Sequence, residues 1–94
     1  MPDDLSSKEM KGYIRLLNLQ NGLVAVETDE GFVIFEILER CALDISDEIT
    51  GVLDIPGIQT LHNVTKKELF DVSIENIHCS WAEANQLLSG TYRI

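Results

Sequence analysis

Residues Lys11 to Leu38 read KGYIRLLNLQNGLVAVETDEGFVIFEIL, and the spacing of glycines and apolar residues in this stretch decides the fold. Gly12–Asn18, with Tyr13, Ile14, Leu16 and Leu17, is expected as a first strand. Leu19-Gln20-Asn21-Gly22 follows, and Asn-Gly accepts the positive φ angles that a tight primed hairpin turn demands. In Leu23–Thr28, Val24 and Val26 fall on one side while Leu23, Ala25 and Glu27 fall on the other, the period of a strand. Thr28-Asp29-Glu30-Gly31 turns the chain again, and Phe32–Leu38 completes an antiparallel meander.

The rest of the chain extends that pattern. Residues 39–47, ERCALDISD, break the alternation and read as a crossing loop holding a helical turn. Glu48–Leu53 and Gln59–Val64 form a second hairpin, with Pro56-Gly57 in the middle of its turn. Thr65-Lys66-Lys67-Glu68 has capping-box spacing and is expected as one helical turn. Leu69–Ile77 is the last long strand. Ser80 and Glu83 then make an S-x-x-E capping box that opens a helix over about residues 80–89. Trp81, Ala84, Leu87 and Leu88 share a stripe at helical spacing, and Gly90 suits the left-handed cap. Thr91–Ile94 is left as a short tail. Residues 1–10 are a flexible lead-in, at most one turn begun by Ser6, and residues 11–94 form one domain. The expected class is mainly β: a five- to six-stranded antiparallel barrel, OB-like or else SH3-like, with a short C-terminal helix.

Composition narrows the function. Ninety-four residues suit one domain, and 45% hydrophobic content holds a core without metal or disulfide. Cys41 and Cys79 make no CxxC pair and read as free thiols packed as small hydrophobes. Seven Lys+Arg against 16 Asp+Glu leave a net charge of -9, which repels polyanions at long range. No apolar run approaches the roughly 18 residues of a membrane helix. The N-terminus lacks the basic-then-apolar layout of a secretion signal, so a cytoplasmic setting without membrane contact is expected.

Lys11-Gly12-Tyr13-Ile14-Arg15-Leu16-Leu17-Asn18 resembles the opening K-G-x-V-K-W-F-N of cold-shock domains, which are OB barrels that bind single-stranded nucleic acid. Asn21-Gly22-Leu23-Val24-Ala25-Val26 lies over K-G-F-G-F-I, Glu30-Gly31 over D-G, and Phe32-Val33-Ile34-Phe35 over F-V-H-F. The resemblance implies a barrel whose outer face stacks bases on aromatic rings, at roughly 1–3 kcal/mol per base. Here Leu16, Leu17, Leu23, Ala25 and Ile34 replace rings, and only Phe32 and Phe35 stay aromatic. Asn21 replaces a basic residue, and Glu27 and Glu36 point outward, where a phosphate backbone would lie. Stacking and charge are both lost, so nucleic acid is disfavoured.

Leu16, Leu23, Ala25, Phe32 and Ile34 are the candidate interaction face, an apolar patch that soluble monomers avoid leaving bare. The preferred cover is the C-terminal helix, laying down Trp81, Leu87 and Leu88; the other is a second subunit or partner protein.

Candidate chemistry is sparse. His78 and Cys79 are adjacent and point to opposite sides of an extended chain, which does not suit chelation. His62 and Cys41 would join them only through tertiary proximity. Asp44, Asp47 and Glu48 lack the spacing of a calcium loop and read as solvated loop charges. Lys66-Lys67 reads as a solvated turn, and Trp81 as a core anchor. No Ser-His-Asp or Cys-His frame and no phosphate-cradling glycine loop is present. No catalytic residue, metal or cofactor is therefore expected. The leading expectation is a non-enzymatic protein-interaction or assembly module, acting on a protein partner or by self-association. An RNA- or single-stranded-DNA-binding OB-like domain is the alternative.

Overall fold

The structure is a computed structural model and describes residues 9–89. Its strands are β1 (Met10–Asn18), β2 (Leu23–Thr28), β3 (Gly31–Ile37), β4 (Glu48–Gly51), β5 (Gly57–Asn63) and β6 (Glu68–Cys79). One helix follows, α1 (Trp81–Ser89). The six strands close into a barrel in the order β1-β2-β3-β6-β5-β4. Every seam is antiparallel. The mainly β barrel with a C-terminal helix is as expected, with six strands rather than five, and its build is compatible with an OB-like fold.

Closure depends on β1 serving two neighbours. Met10–Tyr13 pair with β4, Tyr13–Asn18 pair with β2, and the register shifts between Ile14 and Leu16. Such a bulge bends a strand and increases its twist. Gly12 lies where β1 crosses β2: a Cβ there would stand 2.5 Å from the Glu27 carbonyl oxygen and from Val26 Cγ1. Only a residue without a side chain allows that approach.

The inward residues of the alternation fill the barrel. Ile14, Val24, Val26, Phe35, Ile49, Leu61, Phe70 and Val72 are buried in one cluster. The Phe35 and Phe70 rings meet at 5.9 Å with a 56° tilt. Leu43 and Leu53, from the two long connections, join the same cluster. Each such side chain contributes roughly 1.5–3 kcal/mol relative to exposure.

Strand ends and turns depart from expectation at several places. β1 already begins at Met10, inside the expected lead-in, and β6 runs for 12 residues to Cys79. β4 ends at Gly51, and Gly57 opens β5 instead of sitting mid-turn. The first hairpin uses the four residues Leu19–Gly22, because Asn18 Oδ1 accepts the Gln20 and Asn21 N–H groups at 3.1 and 3.2 Å. Within it Gly22 takes a positive φ of 72°, while Asn21 does not, so a primed two-residue turn is not formed.

Neither expected helical turn exists. In the β3–β4 crossing, Asp47 N–H donates to the Asp44 carbonyl at 3.1 Å. Asp47 Oδ2 in return accepts the Asp44 N–H at 3.0 Å. This side-chain closure competes with a helix. In the β5–β6 connection, Thr65 Oγ1 accepts the Glu48 N–H at 2.9 Å, so Thr65 serves β4 and not a helix cap. Lys67 turns the chain with a φ of 61°.

The capping box of α1 forms in both directions. Glu83 N–H donates to Ser80 Oγ at 3.1 Å, and Ser80 N–H donates to Glu83 Oε1 at 2.8 Å. The expectations for Ser6, Gly90 and Thr91–Ile94 fall outside the described residues.

Candidate functional site

Strand register assembles the expected face from residues far apart in the chain. Leu16 lies opposite Ala25, Ala25 opposite Ile34, and Leu23 opposite Glu36. Glu27 lies opposite Phe32. The five candidate residues therefore form one outer patch, with a carboxylate at either end.

α1 covers this patch. Ala84 and Leu88 are buried against Ala25, Phe32, Ile34 and Cys79, with Leu16 and Leu23 at the margin. Their spacing of four places both on one side of the helix, and the small Ala84 lets the helix backbone approach the sheet. Asn18 Nδ2 donates to the Leu88 carbonyl, tying the end of the helix to β1. The internal cover is thus made by Ala84 and Leu88. Trp81 and Leu87, expected to join it, remain 53% and 40% exposed. Trp81 is not a core anchor: it sits at the first turn, with its ring tilted 49° on Phe32 at 5.4 Å.

β6 is irregular beside the helix, in a way its alternation did not signal. Phe32, Ile34 and Phe35 pair with Cys79, Asn76 and Ile74, so β6 twice spends one more residue than β3. One extra residue falls near His78, which has a φ of 56°, and the other at Glu75–Asn76. Both Glu75 and Asn76 are exposed, and Cys79 is carried beneath α1.

A groove follows this irregular edge. A hollow of about 380 Å³ is lined by Asn21, Leu23, Ile34, Glu36, Glu75, Asn76 and Leu87. Past Asn76 and Leu87 it continues into a second hollow of about 280 Å³, beside Cys79, Glu83 and Gln86. Leu23, Ile34 and Leu87 supply apolar walls, and Glu36, Glu75 and Glu83 supply carboxylates. The Glu75 carboxylate accepts a hydrogen bond from Ser73 Oγ at 2.8 Å, while the Glu36 carboxylate has no hydrogen bond or ion pair among the described residues.

A larger hollow, about 480 Å³, lies between the start of β1 and the β2–β3 turn. Lys11, Tyr13 and Arg15 line it together with Glu9, Glu27, Asp29 and Glu30. Arg15 Nε donates to Glu27 at 2.8 Å, and its guanidinium lies 5.6 Å from the Tyr13 ring centre. Carboxylates outnumber cations there, and the guanidinium is already engaged, so the hollow is poorly suited to phosphate.

The thiols do not suit catalysis. Burial, then the Glu83 carboxylate, pushes the Cys79 thiol up; burial, then Glu39 and Glu68, does the same at Cys41. Both shifts disfavour the reactive thiolate. His78 is exposed whereas Cys79 is buried, and the His78 Nδ1–H donates to the Glu30 carbonyl at 3.1 Å. Among the described residues no group of three or more His, Cys, Asp or Glu is placed to hold a metal ion.

Asp47 and Lys66 are not the solvated charges expected. Asp47 is 4% exposed and accepts hydrogen bonds from Asn63 Nδ2 at 2.9 Å and Lys66 Nζ at 2.6 Å. Lys66 Nζ also meets Asp44 at 2.8 Å. An ammonium group thus occupies the place a cation would take, and the cluster ties the β3–β4 crossing to the β5–β6 turn. Burial pushes the Asp47 carboxyl up, but the hydrogen bonds from Asn63, Lys66 and Asp44, with the Lys66 charge, outweigh it and hold the carboxyl below its usual range. Lys66 is held above its ordinary value by its bonds to Asp44 and then Asp47.

Among the described residues no helix is long and apolar enough to cross a membrane. Comparison with family models, curated proteins and solved structures finds no significant match.

Proposed function

We propose that this barrel is a non-enzymatic module acting through protein contacts, in an interaction or an assembly. The observation that carries the reading is α1 lying over the outer face of β1–β3, where an oligonucleotide-binding barrel would present its stacking rings. Phe32 is beneath α1 and Phe35 is inside the barrel, both buried. What the helix side offers instead is a half-exposed Trp81 and Leu87 beside carboxylates. Aromatic and aliphatic side chains of this kind anchor protein interfaces. The raised thiols argue against a cysteine nucleophile, and the acid-lined hollows argue against polyanion binding. A reducing, cytoplasmic setting fits the two free cysteines.

Two measurements test this reading. Titration with labelled single-stranded RNA and DNA at low salt is expected to show no saturable binding. Tight binding that weakens steeply as salt rises overturns the reading in favour of an OB-like nucleic-acid binder. Sedimentation over a wide concentration range then separates self-association from action on a different partner.

A further inference from the structure

We infer that the groove between α1 and the irregular end of β6 receives a basic, amphipathic segment of a partner protein. This deepens the protein-contact reading and rests on it. The groove joins two features that each restrict its occupant. Leu23 and Leu87 offer hydrocarbon to apolar side chains, whereas Glu36, Glu75 and Glu83 favour Lys or Arg beside them. Among the described residues no Lys or Arg lines either hollow. Complementary charge accelerates encounter and rejects partners of the wrong sign.

The same charge argues against a second copy of this chain. With 16 Asp+Glu against 7 Lys+Arg, self-docking would set carboxylates against a predominantly acidic surface. It also argues against nucleic acid and anionic lipid. Local geometry is consistent with an external occupant. β5 pairs with β6 only as far as Ile74, so among the described residues Glu75–Cys79 have β3 on one side and no strand pairing on the other. The bulges at Glu75–Asn76 and His78 turn this segment out of regular alternation and open the groove beneath Leu87.

The test uses the full chain, ¹⁵N-labelled, and two short synthetic peptides, one alternating Leu with Lys and the other Leu with Glu. The Leu/Lys peptide is expected to shift the amides of Leu23, Glu36, Glu75, Asn76 and Leu87. The Leu/Glu peptide is expected to shift none of them. General attraction to an acidic protein is controlled by two charge-matched variants. Glu36→Gln with Glu75→Gln should weaken Leu/Lys binding roughly fivefold or more, and Glu9→Gln with Asp29→Asn less than about twofold. Unchanged amide dispersion in each variant verifies folding.

Equal loss in both variants, binding of both peptides alike, or no shift with the Leu/Lys peptide overturns the groove proposal. Shifts that map instead to the outer face of β5 and β6, around Ile58 and Leu69, overturn the groove but leave the protein-contact reading standing. Shifts of the groove amides by single-stranded RNA overturn both.

Discussion

Lys66 Nζ lies 2.6 Å from Asp47 Oδ2, joining residues 19 positions apart and tying the β3–β4 crossing to the β5–β6 turn. Asp47 also holds Asn63 Nδ2 and the Asp44 N–H, so one carboxylate satisfies donors from three chain segments. Removing it leaves the buried Asn63 amide without that acceptor. Asp47→Ala is expected to cost about 2 kcal/mol or more, the range for a buried hydrogen-bonded charge. Urea denaturation checks this, and an unchanged midpoint would show that the cluster is incidental.

The same residue predicts acid sensitivity. Its folded pKa is depressed, so its contribution is fully present above the ordinary carboxylate range and is lost as pH falls through the folded value. Urea midpoints should stay nearly level from about pH 7 to 5, then fall below about pH 4. The gap between wild type and Asp47→Asn should narrow over that fall. Lys66 carries the opposite sign: its raised value means a contribution present below the ordinary lysine range and lost in strong alkali.

Gly12→Ala tests the crossing of β1 and β2. The added methyl would meet the Glu27 backbone oxygen at 2.5 Å, and a carbonyl in a paired strand has little room to move. A loss of about 2 kcal/mol or more is expected by thermal or chemical denaturation. A neutral result would mean that β1 is more loosely coiled than its contacts indicate.

Size and importance are inverted along α1. Leu88→Ala empties a buried position and should cost about 2–4 kcal/mol. Trp81→Ala removes a larger side chain that is 53% exposed, and should cost only about 1 kcal/mol. Trp81 emission in the folded protein should be red-shifted and quenched by acrylamide. Blue-shifted, protected emission would place the indole under a second chain.

Ser80→Ala isolates the capping box and should cost about 1 kcal/mol. Glu83→Gln, which retains a side-chain acceptor for the Ser80 N–H, should cost less. Denaturation midpoints of the two variants distinguish the hydrogen bonds from the charge.

Local sequence rules account for β2 and for the opening of α1. Leu23–Thr28 was legible because alternating faces require only neighbouring residues, and Ser80 with Glu83 because a capping box closes within four positions. The outward patch was legible for the same reason, each of its members following from strand parity. Which helix residues would cover it was not. A stripe of Trp81, Ala84, Leu87 and Leu88 has helical periodicity throughout, but the angle at which α1 meets the sheet selects Ala84 and Leu88.

Closure, burial of charge and the shape of the groove arose at a longer range. Asp47 in ERCALDISD looks like any acidic loop residue, and becomes buried only because Asn63 and Lys66 arrive from another hairpin. The extra residues in β6 exist only relative to β3, since a bulge is a mismatch between two partners and has no meaning in one strand. Hydrophobic alternation and capping are properties of a few consecutive residues, and so can be read along the chain. Strand order, register and the packing angle of a helix are set by contacts among segments that the chain keeps apart, and these placed carboxylates around an apolar groove.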